Sequence, residues 1–79
     1  MKKRVIISYR GSRNITLEEI LLKHLSVFGG VKSGEWGFNE GSFQCLCLFK
    51  EKESLYLAYV QKLKQELGND FYKINLFIS

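Results

Sequence analysis

Two cysteines, Cys45 and Cys47, stand one residue apart in the apolar run SFQCLCLFK, residues 42–50. Thiols at that spacing suggest a metal clip, a redox pair, or two small side chains on one face of a strand. Residues i and i+2 of a strand point the same way, and Phe43 and Phe49 share that direction. The chain has no other cysteine, and its one histidine, His24, falls in a helical segment. A four-ligand zinc site therefore lacks ligands. The Cα atoms of such a pair lie roughly 6.5–7 Å apart, at the limit for a disulfide. Buried, reduced core thiols are the expectation, with no metal and no cofactor.

The other reactive groups are few. His24 flanks an apolar stripe of Leu17, Ile20, Leu21 and Leu25, and a general base needs a partner and a substrate pocket beside it. The paired carboxylates are Glu18–Glu19 and Glu51/Glu53, each next to a helix start, where negative charge is favoured in any case. The lone aspartate, Asp70, sits in a loop. GSRN, residues 11–14, is too short for a phosphate loop and lacks its lysine. No nucleophile-elbow serine occurs. No residue is assigned a catalytic role, and the balance is against an enzyme.

Charge is the stronger signal. The 79 residues carry a net +4. Lys2, Lys3, Arg4, Arg10 and Arg13 fall in residues 1–13 with no acid among them. Such a segment suits a polyanion such as nucleic acid, or an acidic protein surface. The basic start is followed by only Val5–Ile7 as an apolar stretch, too short for a signal peptide. No run approaches the ~20 apolar residues of a membrane helix. The expectation is one cytoplasmic domain over residues 1–79 with no membrane association.

The elements that must position these residues follow from periodicity. KRVIISY, residues 3–9, alternates as a strand. Thr16 with Glu19 three residues on reads as a capping box, opening a helix over 16–28 that Gly29 and Gly30 stop. VKSGEWGF, 31–38, is a glycine-weakened strand fit for an edge. A short turn leads to the strand 42–50. Glu53 or Ser54 caps a second helix over 54–67, with Tyr56, Tyr59, Val60, Leu63 and Leu67 inward. FYKINLFI, 71–78, is the last strand, with Tyr72, Ile74, Leu76 and Ile78 on one face. The order predicts an α+β, ferredoxin-like βαββαβ fold. Its four-stranded antiparallel sheet has order 4-1-3-2, with both helices on one face. A swapped or three-stranded variant is the alternative if the second strand does not pair.

VIISYR, followed by a polar loop and a helix, resembles the opening of the CRISPR-adaptation endonuclease family and its SinR-like and toxin–antitoxin ribonuclease relatives. The resemblance covers the first strand and the order of elements. It implies an acidic residue just after that strand, in a segment like SYD. Arg10 stands there instead, so the resemblance implies a member that binds rather than cuts. An unusual metal-dependent ribonuclease is the remaining enzymatic alternative.

In this fold the helices cover one sheet face. Ile6, Ser8, Arg10, Gln44, Leu46, Leu48, Lys73, Asn75 and Phe77 then fall on the open one. Aliphatic Ile6, Leu46 and Leu48 on the central strands do not match the aromatic platform of RNA-recognition motifs. Together with Phe77 they suit pairing with another sheet, a homodimer in the first instance. Trp36 and Phe38, on the edge strand, are further candidates for a partner or a base, unless they wrap the edge of the core. The anion-binding candidates are Lys2, Lys3, Arg4, Arg10 and Arg13. The functional expectation is a small, basic, non-catalytic, nucleic-acid-associated dimer. The alternative is an inhibitor or adaptor of phage or mobile-element type that binds a larger protein complex.

Overall fold

A computed structural model describes residues 2–50 and 53–78. The elements are β1 (Lys2–Arg10), α1 (Ile15–Val27), β2 (Gly30–Lys32), β3 (Gly37–Asn39), β4 (Ser42–Lys50), α2 (Glu53–Leu67), a 3-10 turn (Gly68–Lys73) and β5 (Asn75–Ile78). The fold is α+β, two helices and one antiparallel sheet of five strands.

β1 and β4 form the centre of the sheet. They pair along their whole length, from Lys2 opposite Lys50 to Arg10 opposite Ser42. β5 joins the far side of β1, with Val5 opposite Ile78 and Ser8 opposite Asn75. β2 and β3 both join the far side of β4, at Cys47–Phe49 and at Ser42–Gln44. The expectation of four strands is thus corrected. Residues 31–38 do not run as one strand but as two pieces of three residues each, separated by 33–36. Gly34 has φ +74° inside that break, a left-handed conformation no strand accommodates. The amide of Ser33 still donates to the Leu46 carbonyl, 2.8 Å, so the break stays against β4.

Alternation in the central strands sorts the side chains. Val5, Ile7, Tyr9, Phe43, Cys45, Cys47 and Phe49 are buried under the helices. They meet Leu17, Leu21 and Leu25 of α1 and Tyr56, Tyr59 and Leu63 of α2 in one core. Tyr59 is fully buried, and its O–H donates to the Leu21 carbonyl across the helix pair. Burial first, then the nearby thiols, pushes its ionisation far above the usual phenol range.

Three local expectations are corrected. α1 is capped by Asn14, whose side chain accepts from the Leu17 amide at 3.0 Å, so Thr16 and Glu19 lie within the first turns. Asparagine caps better than threonine, which places the start two residues earlier. Residues 71–73 are wound into the 3-10 turn instead of strand. That winding buries Phe71 and leaves Tyr72, expected inward, 82% exposed. α2 begins at Glu53, so Glu53 and Ser54, expected as its cap, lie inside its first turn, while the residue before it and the Glu51/Glu53 carboxylate pair lie outside the described residues and side chains.

Candidate binding surface on the open sheet face

Register assembles the open face. Ile6 stands opposite Leu46 on one side and Phe77 on the other, so Phe77, Ile6 and Leu46 form one row across three strands. Leu48, opposite Arg4 and Val31, lies in the adjoining row. Phe77 is 64% exposed and Val31 is exposed, while Ile6, Leu46 and Leu48 are half-buried. Val31 is an addition to the expected set, since a strand broken after three residues gives no alternation from which its facing can be read.

The expected basic residues separate. Arg4 lies on the open face beside the apolar rows, with Lys50 one row beyond. Arg10 is six residues further along β1, ~20 Å away at strand rise. Lys3 alternates to the helix side, where its ammonium stands over the Tyr56 ring at 5.6 Å. Lys2 is opposite Lys50 in register, and its side chain lies outside the description. Arg13 stays exposed but pairs with the buried Glu18, its Nε 3.4 Å from Oε2, and its guanidinium stands 6.0 Å from the Phe38 ring. Among the described residues the strands of this face carry Arg4, Arg10 and Lys50 and no acid.

Glu18, expected as a solvated helix-start carboxylate, is instead buried. It is 5% exposed, and it accepts from the buried Tyr9 O–H. The same phenol oxygen accepts from the Asn14 amide at 3.0 Å. Burial, then the hydrogen bond to Glu18, raises the Tyr9 ionisation. The available signal was Tyr9 itself, because an inward tyrosine needs a partner for its hydroxyl. This cluster holds the β1–α1 loop. Gly11, with φ +113°, donates its amide to the Gly41 carbonyl at 2.9 Å, which ties that loop to the turn before β4.

A polar depression of about 480 Å³ opens at the Arg10 end of the face, lined by Arg10, Asn39, Glu40, Ser42 and Gln44 with Gly37 and Gly41. A second, of about 360 Å³, adjoins it along β3 and shares Gly37, Asn39 and Gln44 while adding Glu35, Trp36 and Phe38. Phe38 packs on Tyr9, ring centres 6.1 Å apart, as part of the core's edge. Trp36 meets Phe43 edge-on at 6.3 Å and remains 36% exposed. The Lys32 ammonium stands 4.0 Å from the indole centre.

The thiols lie elsewhere, on the core face. Cys45 and Cys47 are free and buried, sulfurs 3.6 Å apart. The contact between them raises Cys47 far above the usual thiol range and lowers Cys45, while burial resists ionisation of both. No cluster of three or more metal-ligating side chains occurs among the described residues. His24 is buried, its Nε2 2.9 Å from Glu66 Oε1. The two atoms are close enough for an ion pair, but the alignment of a hydrogen bond is not met. No helix among the described residues is long and apolar enough to cross a membrane.

No protein-family model matches the chain, and no curated protein matches it significantly.

Proposed function

We propose that this chain is a small, non-catalytic binding protein that pairs with a second copy through its open sheet face and associates with nucleic acid through the basic residues around that face. The observation that carries the reading is the row Phe77–Ile6–Leu46, with Leu48 and Val31 beside it, on a face bordered by Arg4, Lys50 and Arg10. Scattered exposed aliphatics need no explanation, but a contiguous patch on so short a chain does. Covering the exposed Phe77 and Val31 contributes up to ~1.5–3 kcal/mol each before association costs, and covering the half-buried Ile6, Leu46 and Leu48 contributes less. A chain this size has little stability to spare, so a second copy is a natural cover.

The fold reading is ferredoxin-like. Taking β2 and β3 as one interrupted edge strand turns the observed path β2-β4-β1-β5 into the order 4-1-3-2, which supports it. Arg10 closes β1 on the open face, where the resemblance to the small ribonucleases implies an acid, and this favours binding over cutting.

Two measurements test the reading. Leu46→Lys puts a charge into the centre of the row and should convert a dimer to a monomer in sedimentation velocity. Binding to a labelled oligonucleotide should fall steeply with salt, and Arg4→Gln with Lys50→Gln should flatten the slope by about 1.4 units on single strands. A wild type that sediments as a monomer at high concentration removes the dimer. Aliphatic rather than aromatic side chains on the central strands favour a second reading, a protein-binding inhibitor or adaptor. Its complex would depend little on salt and would weaken with Leu46→Lys.

A further inference from the structure

We infer that the two adjoining depressions form one groove that takes a single nucleotide of a single-stranded nucleic acid, with its base against Trp36 and its phosphate at Arg10. The inference rests on the nucleic-acid reading above and gives it a site. The two depressions meet at Gly37, Asn39 and Gln44, which line both. An added Cβ at Gly37 would meet no atom within 4 Å, so a side chain at this position would project into open space where the depressions join. Arg10 lies at one end, a guanidinium whose fork suits phosphate oxygens. Trp36 lies at the other, an exposed indole of the kind on which bases stack without regard to sequence.

Between the ends stand the amides of Gln44 and Asn39, which can donate and accept toward a base edge. The rim also carries Glu40 and Glu35. These carboxylates disfavour a phosphate backbone running along the whole groove. They tolerate a base edge, whose amino groups can donate to them. The groove is therefore read as a pocket for one base rather than a track for the backbone. Lys32 covers the indole in the free protein through an exposed cation–π contact, which a base displaces, and its ammonium is then free for the neighbouring phosphate.

Trp36 is the only tryptophan, so its emission reports this groove alone. The experiment titrates the full chain with fluorescein-labelled single-stranded RNA and DNA 12-mers, reading oligonucleotide anisotropy and tryptophan emission in parallel. Emission should change with the same midpoint as anisotropy. Trp36→Ala should weaken binding by about tenfold or more, and Trp36→Phe, which keeps a ring, should retain most of it. Gln44→Ala and Arg10→Gln alter exposed side chains and keep the test valid should Trp36→Ala fail to fold. Gln44→Ala should weaken binding severalfold. Arg10→Gln should weaken it and lower the salt slope by about 0.7 units. If anisotropy rises while tryptophan emission stays constant and both exposed variants bind as wild type, the groove is overturned and the nucleic-acid reading stands. If anisotropy does not rise with either oligonucleotide at low salt, both fall.

Discussion

Glu66 of α2 places Oε1 2.9 Å from Nε2 of His24 in α1, a close polar contact across the helix pair that covers the sheet. The neighbouring imidazole, followed by Lys23 and Lys62, holds the Glu66 carboxyl below its ordinary range against a smaller opposing effect of burial. A carboxyl depressed in the folded state stabilises the fold fully above its unfolded value. That contribution is lost as pH falls through the folded value. Glu66→Gln should therefore lower the urea midpoint at pH 6 and lose its effect as pH drops below the usual carboxylate range. An unfolding series on both proteins at pH 6, 4 and 2.5 checks this. A difference that persists unchanged at pH 2.5 would assign the effect to packing.

Tyr9→Phe removes the donor to Glu18 and the acceptor for the Asn14 amide in one step. A buried carboxylate is then left with Arg13 alone. The expected loss is about 1–3 kcal/mol. Glu18→Gln should cost less in the Tyr9→Phe background than in wild type, and a double-mutant cycle by denaturant unfolding measures that coupling.

Cys45 and Cys47 should react with a thiol reagent only when the chain opens, because both are buried and Cys47 resists ionisation. The native protein should react slowly and the denatured protein at once. Replacing both by alanine should cost ~1–3 kcal/mol and leave binding at the open face unchanged. Rapid stoichiometric reaction of the native protein would show that the core face is accessible.

Gly30 follows α1 at the start of β2, and a Cβ built there would lie 2.5 Å from Leu25 Cδ1 and 2.7 Å from Phe49 Cε1. Both neighbours are core residues held between helix and sheet. Gly30→Ala should destabilise by about 1–3 kcal/mol through overpacking. A thermal midpoint equal to wild type would mean that the α1–β2 junction shifts to make room.

Period-two alternation reveals β1 and β4 in the sequence because both lie between other strands and under two helices, so each position has a fixed side. The same cue misreads 71–78, where an i,i+3 ion pair between Asp70 and Lys73, 3.0 Å, accompanies a 3-10 winding that alternation cannot express. The apolar row Ile6–Leu46–Phe77 is legible for the reason β1 and β4 are. The groove is not, because Arg10, Asn39, Gln44 and Trp36 come from three segments joined only by cross-strand register. Glu18 is equally hidden, since a first-turn glutamate looks like an ordinary helix-start charge until the fold brings Tyr9 beneath it.

The break at 33–36 also governs how this sheet can meet others. An unpaired strand edge is a template on which another chain can add strand after strand, and long flat edges invite fibrillar growth. One border of this sheet is cut into two three-residue pieces by a left-handed glycine, and the other is the four-residue β5. Among the described residues neither border offers a paired stretch of more than four residues to seed such growth. The apolar side chains of the sheet face are therefore exposed without a long strand edge beside them, which disfavours edge-on addition of further chains.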